Sequence, residues 1–216
     1  TCGFPHAPMS PETGADTESR VRQFAAWTLD YEPGEKYIYH GMSAHWVLAE
    51  LIERLSGHKF CDFIEERITR PLGLPRLLGI PRSEQKDIAQ LSQAADLETR
   101  RLYDYATKIE VGEPGGGGTM TAENLCRFYQ GLLHNPGEIW VPSVLADGTS
   151  HIRCVLPDPL MHLPANRTTG VVIGAGFGSL WGQAPAAFGW TGAGGQVGFA
   201  DPDSGLSFAF LQMGDL

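Results

Sequence analysis

Apolar residues recur along the chain with two periods. In the first two-thirds the period is that of a helix. Val21, Phe24, Ala25 and Thr28 fall on one stripe of a segment from about Glu18 to Leu29, with Thr17 placed to cap it and Pro33-Gly34 to end it. Val47, Leu48, Leu51, Ile52 and Leu55 mark a second helix that Ser43 opens and Gly57 stops, with Glu50, Glu53 and Arg54 turned outward. Phe60, Phe63, Ile64 and Ile68 define a third, from about Lys59 to Thr69, broken at Pro71. Leu125, Phe128, Tyr129, Leu132 and Leu133 define a fourth, capped by Thr121.

Towards the C-terminus the period becomes two. Val171-Val172-Ile173 reads as a strand, and residues 187–213 read as two antiparallel strands joined by a tight turn at Asp201-Pro202-Asp203-Ser204-Gly205. Leu206, Phe208 and Phe210 alternate there with Ser207, Ala209 and Leu211. Residues 1–15, 71–118 and 135–169 carry Pro and Gly without a clear period and read as loop. Helices followed by strands predict an α+β fold. The whole of 1–216 reads as one domain, mainly helical over 1–135 and mainly sheet over 136–216.

Composition narrows the chemistry. The 216 residues are 42% hydrophobic and 19% charged, with a net charge of −9. That balance, without a basic cluster, excludes a nucleic-acid surface. No apolar run approaches the ~20 residues of a membrane span. The first residues, TCGFPHAPMS, have neither an initiator Met nor the pattern of a signal peptide, and both ends read as those of a fragment. Cys2, Cys61, Cys126 and Cys154 have no metal-clip or CxxC spacing, so they read as buried free thiols, which fits a reducing, cytoplasmic compartment. The seven histidines form no HExxH pattern, and neither metal nor organic cofactor is expected. Glu113-Pro114 and the run Gly115–Gly118 precede a helix but lack the Lys-Ser/Thr pair of a phosphate loop. Asn166-Arg167-Thr168 matches the glycosylation triplet. The glycines after Trp190 either form a bulge in an ordinary sheet or let a substrate oxygen approach strand N–H groups.

Four segments carry a resemblance. EPGEKYIYHGMSAHWVLAELIERLSG with the following ITRPLGL is similar to a pattern of Pro-Gly, Tyr-x-Asn, a helix ending in Ser-Gly, then Pro-Leu-Gly. GGGGTMTAENLCRFYQGLL is similar to a Gly-Gly-x-x-Ser/Thr helix start, FGWTGAGGQVGFADP to a Lys/His/Trp-Thr/Gly-Gly strand, and TCGF to Thr-Ser-Gly-Leu/Phe. Taken in their order along the chain, TCGF first, they resemble the serine β-lactamase-related family of class C β-lactamases, D-Ala-D-Ala carboxypeptidases and family VIII esterases. The resemblance implies a β-lactamase/transpeptidase-like antiparallel sheet with flanking helices and a helical subdomain, incomplete at the N-terminus. It implies acyl transfer to a serine, followed by hydrolysis of the acyl-enzyme of an ester or amide.

By that resemblance Tyr39 matches the proton-transfer Tyr, with Gly41 in place of the Asn and the following segment one residue longer than usual. Trp190, Thr191 and Gly192 match the Lys-Thr-Gly position, and Ala193 would offer its N–H to the oxyanion. A Trp in place of Lys removes a cation and favours ester-like substrates. The residues alone also allow Tyr39 to be a half-buried strand aromatic and Trp190 a ring packed on the sheet. The nucleophilic Ser-x-x-Lys is expected upstream of TCGF, outside this chain. The strings Ser56–Lys59 and Ser83–Lys86 both follow Tyr39, in the wrong order, and read as coincidental. The open alternative is a non-catalytic module of the same fold that binds a ligand or partner. In either case apolar faces normally covered by the missing segment would favour association or a second chain.

Overall fold

The computed structural model describes residues 1–7, 9–89, 105–160, 162–174, 183–192 and 195–212. The chain falls into two compact units, residues 1–35 with 40–120, and residues 36–39 with 121–216. No helix among the described residues is long and apolar enough to cross a membrane.

The first unit is helical. A short helix α1 (Pro11–Ala15), capped by Ser10, leads into α2 (Thr17–Ala25). The cap of α2 is Asp16, whose carboxylate accepts the Ser19 N–H at 2.8 Å, rather than Thr17. The helix also ends well before Leu29, and its one fully buried residue is Arg20. The reason lies in α3 (Ser43–Ser56), whose buried residues are Ser43, Trp46, Ala49 and Glu50. Arg20 donates to Glu50 Oε2 at 2.9 and 2.5 Å, to Glu53 Oε2 at 2.6 Å and to the Gly14 carbonyl at 2.6 Å. This ionic cluster turns the carboxylates of α3 inward, and Leu48, Leu51 and Leu55, expected inside, are exposed. Gly57 ends α3 as expected, at φ 74° with its N–H bonded to Glu53 O.

Helix α4 (Phe60–Ile64) continues as a π-helical turn, Glu65–Thr69. Met9, Trp46, Ala49, Phe60, Cys61 and Leu78 form the core of this unit. Within the stretch read as loop there are a 3₁₀ helix at Arg82–Asp87 and a helix α5 (Tyr105–Val111). Two positions of the glycine run are closed in by neighbouring main chain. A Cβ on Gly115 would lie 2.1 Å from the Gly41 carbonyl, and one on Gly117 would lie 2.5 Å from the Lys108 carbonyl. Beside it Glu113, buried, pairs with Lys108 Nζ at 3.1 Å.

The second unit is a helix on an antiparallel sheet. Helix α6 (Ala122–His134) starts as expected at Thr121, whose hydroxyl accepts the Asn124 N–H, and ends at Asn135 in the left-handed region. A further helix α7 (Pro142–Ser150) lies in a stretch read as loop, as does the strand pair β1 (Pro157–Asp158) and β2 (Leu163–Pro164). The main sheet has the order β3-β4-β5-β6 with β3 (Val172–Ile173), β4 (Phe188–Thr191), β5 (Val197–Asp201) and β6 (Leu206–Phe210). Asp201 fixes the β5–β6 turn through Ser204 N at 3.2 Å and the Gly205 N–H to its carbonyl at 2.9 Å. Tyr129, Ile173, Phe188 and Ala200 form the core under α6. Ser207 and Ala209 face that helix, and Leu206, Phe208 and Phe210 point away from it into solvent.

Candidate active site

The site residues sit on β4 and on the short segment 36–39, both in the second unit. β4 is held from below by α6. Gly198 pairs with Trp190 across the β4–β5 ladder, and a Cβ there would meet Tyr129 Cε2 at 2.7 Å and Leu125 Cδ2 at 2.9 Å. Glycine at 198 is therefore what lets the helix seat against the sheet. Tyr129 is buried, which pushes its phenol up to about 12, and its hydroxyl is hydrogen-bonded to the Trp190 main chain. The strand is thus anchored at the residue whose ring enters the site.

Trp190 and Tyr39 come together: their ring centroids are 5.5 Å apart with the planes inclined at 34°. Tyr39 is 36% exposed and Trp190 half-buried, so the pair forms part of the surface rather than of the core. Thr191 closes the register opposite Val197, and the Gly192 N–H donates to Gln196 O at 2.8 Å to begin the connection to β5. Four of the expected site residues, Tyr39, Trp190, Thr191 and Gly192, are described; Ala193, the expected oxyanion donor, lies outside the described residues. Gly41, at the Asn position of the resembled motif, belongs to the other unit.

One residue was not read as functional from the sequence. Arg167 places its guanidinium carbon 3.7 Å from the Trp190 ring centroid, 5.2 Å from that of Tyr37 and 5.8 Å from that of Tyr39. Its backbone is fixed in both directions, N–H to Cys154 O at 2.9 Å and C=O from Cys154 N at 3.0 Å. Burial lowers the guanidinium pKa from its ordinary value against the opposing pull of Tyr37, Asp158 and Tyr39. Burial likewise pushes the Tyr37 phenol up to about 12, opposed by the Arg167 charge. In the sequence Arg167 stood only inside a glycosylation triplet. The structure gives that triplet another use, since the Thr168 side chain is buried and its hydroxyl donates to Gly148 O at 2.6 Å. No spacing signal joins Arg167 to Trp190; only the fold does.

Neither Ser-x-x-Lys string is arranged for nucleophilic attack. The Ser56 hydroxyl donates back to Ile52 O at 2.7 Å, and Lys59 Nζ bonds Thr17 Oγ1 at 3.3 Å and pairs with Glu53 at 3.8 Å. Ser83 and Lys86 are exposed on the 3₁₀ turn. Among the described residues, no group of three or more His, Cys, Asp or Glu side chains could hold a metal ion.

A sequence profile of the Beta-lactamase family matches residues 1–215. The chain belongs to the Beta-lactamase family. Its relatives include Esterase/beta-lactamase LipL of Mycobacterium tuberculosis (strain ATCC 25618 / H37Rv), 25% identical over 211 residues, a match covering 82% of this chain and 48% of that protein. The chain thus spans about half the length of that curated relative. Among solved structures, a family VIII carboxylesterase superposes with a TM-score of 0.82 at 21% identity, over 98% of this chain and 62% of the other. A penicillin-binding-protein homologue from Caulobacter crescentus superposes with a TM-score of 0.74 at 22% identity, over 99% of this chain and 62% of the other. These likenesses establish the β-lactamase/transpeptidase-like α+β fold.

Proposed function

We propose that this chain forms the acyl-binding and proton-transfer side of a serine hydrolase that cleaves an ester or amide through an acyl-enzyme, with the nucleophilic Ser-x-x-Lys supplied from outside these residues. The observation that carries this reading is the meeting of Tyr39 with Trp190 at the start of a glycine-rich strand connection. In this reading Tyr39 relays the proton between nucleophile and leaving group, and the Trp190-Thr191-Gly192 strand lines the acyl group. The Ala193 N–H stabilises the developing oxyanion. Relatives that include an esterase/beta-lactamase support the reaction class.

The test uses the complete coding sequence that carries this chain. It should release p-nitrophenol from p-nitrophenyl butyrate with a burst equal to the enzyme concentration. Tyr39→Phe should lower the acylation rate by a factor of about 100 or more, the usual share of a positioned proton-transfer group. A burst unchanged by Tyr39→Phe overturns the role of Tyr39. A second reading, a non-catalytic module of the same fold that binds a ligand or partner, draws on the structural roles of Ser56 and Lys59. It predicts a folded protein with no turnover.

A further inference from the structure

Tyr39 stands on a segment that belongs to no helix and no strand, so no regular ladder of main-chain bonds aims its phenol. Side chains from elsewhere in the second unit surround it instead. We propose that Arg167 is a positioning residue: stacked on Trp190 and held by Tyr37, its flat guanidinium fixes the Tyr39 phenol in the orientation that proton transfer needs. The inference rests on the proton-transfer role given to Tyr39 above and adds a residue that acts only through it.

Three observations carry it. The first is the shared plane. The guanidinium carbon lies 3.7 Å from the Trp190 ring centroid, 5.2 Å from that of Tyr37 and 5.8 Å from that of Tyr39. The Tyr39 and Trp190 centroids are themselves 5.5 Å apart. One flat cation therefore sets the spacing of three rings. A guanidinium stacks on aromatic faces and is only weakly hydrated, so it fills the space among the rings without recruiting water.

The second is what grips the cation. Arg167 donates a side-chain hydrogen bond to Tyr37, and Asp158, 5% exposed, adds an opposite charge from the same side of the chain's second unit. Asp158 Oδ1 is in turn held by the Leu160 N–H at 2.8 Å. Arg167 Nε is buried, out of reach of solvent. A guanidinium closed in this way supports its neighbours rather than meeting a ligand.

The third is the main chain behind it. Asn166 sits in the left-handed region at φ 43°, which Asn tolerates better than most residues, and its carbonyl accepts the Ile173 N–H at 3.0 Å. Arg167 itself is paired in both directions with Cys154 and bridged to Val172. The side chain leaves a fixed point and lies on a fixed ring. Such precision matters for proton transfer, where a displacement of about 1 Å costs on the order of 100-fold in rate.

The experiment uses the complete coding sequence and rapid mixing with p-nitrophenyl butyrate over a range of concentrations. Arg167→Gln should lower the saturating burst rate about 10- to 100-fold and leave the half-saturating ester concentration within about twofold. In a Tyr39→Phe background the same change should cost less than about twofold more, because a residue that acts through Tyr39 then has nothing to position. Arg167→Lys, which keeps the charge and loses the plane, should stay close to Arg167→Gln. Tyr37→Phe keeps the ring and removes only the hydroxyl; it should slow the burst about 3- to 10-fold, again only where Tyr39 is present, and it decides the matter if the Arg167 variants fail to fold. Losses at Arg167 and Tyr39 that multiply overturn the proposal. So does an unchanged burst in Arg167→Gln or in Tyr37→Phe, or a fully active Arg167→Lys. Those results leave the proton-transfer reading in place, whereas a complete protein without turnover, or a burst indifferent to Tyr39→Phe, removes that reading and this inference with it.

Discussion

Removing the Arg20 side chain should cost the first unit as much as deleting one of its large core side chains. Arg20 has no solvent exposure, and the side chains of Glu50 and Glu53 are only 8% and 12% exposed. Arg20→Met keeps the aliphatic volume and takes away the charge, leaving two buried carboxylates facing Arg54 and Lys59, whose side chains are 63% and 60% exposed. Breaking a buried ion pair from one side costs about 3–5 kcal/mol, roughly a fifth or more of the stability of an ordinary domain. Adding Glu50→Leu to Arg20→Met should recover part of the loss, because one of the two uncompensated carboxylates is then gone and Glu53 keeps Lys59 at 3.8 Å.

The pH dependence has a definite sign. Burial raises the Glu50 pKa, but hydrogen bonds from Arg54 and Arg20 outweigh it and hold the carboxyl below its ordinary value. A folded value below the unfolded one contributes stability at neutral pH and loses it as pH falls through the folded value. Without Arg20, burial gains weight and the variant's Glu50 pKa moves up. The gap between wild type and Arg20→Met should then be widest near neutrality and narrow towards the carboxylate range. Urea denaturation at several pH values reads both effects. A single variant within about 1 kcal/mol of wild type, or a double variant no better than the single, refutes the reasoning.

Other outcomes follow from the second unit and from the thiols. Gly198→Ala places a Cβ against Tyr129 and Leu125 and should cost about 1–3 kcal/mol; calorimetry should show Tm falling by roughly 2–12 °C, and an unchanged Tm contradicts the seating of α6 on β5. Burial pushes the Cys61 thiol up to about 12, so an aromatic disulfide reagent at pH 8 should label exposed Cys2 quickly and reach Cys61 only on unfolding; rapid labelling of Cys61 in the native chain contradicts its burial. Leu206, Phe208 and Phe210 line one exposed face of β6, so the isolated chain should self-associate with concentration, and Phe208→Ser should lower its apparent mass in size-exclusion chromatography. A monomer at every concentration argues against that face as a contact.

Much of the fold was legible where local signals agreed. The α6 helix carries an amphipathic period and a cap in register, so its start at Thr121 and its docking face could be read directly. The β5–β6 turn was legible because Asp201 and Gly205 do what those residue types do at such turns. The α3 helix was legible as a helix but not in its orientation. Leucines at helical spacing normally face the core, and here a buried arginine on another helix reverses the choice by neutralising Glu50 and Glu53. Helix α7 was missed because Pro142, Gly148, Thr149 and Ser150 weaken the helical signal; Thr149 and Ser150 bond back to the carbonyls of Leu145 and Ala146. In the candidate site, the ring pair Tyr39–Trp190 came from motif resemblance, whereas Arg167 depends on a bridge between strands that no local pattern announces.

The central claim is that Tyr39 and the strand after Trp190 serve one acyl group. A crystal structure of the protein with a short-chain acyl phosphonate tests it most directly. The claim predicts the Tyr39 hydroxyl and the Ala193 N–H each within about 3 Å of the bound ligand's oxygens. A ligand seated elsewhere, or packed side chains filling the space between that hydroxyl and that amide, contradicts it.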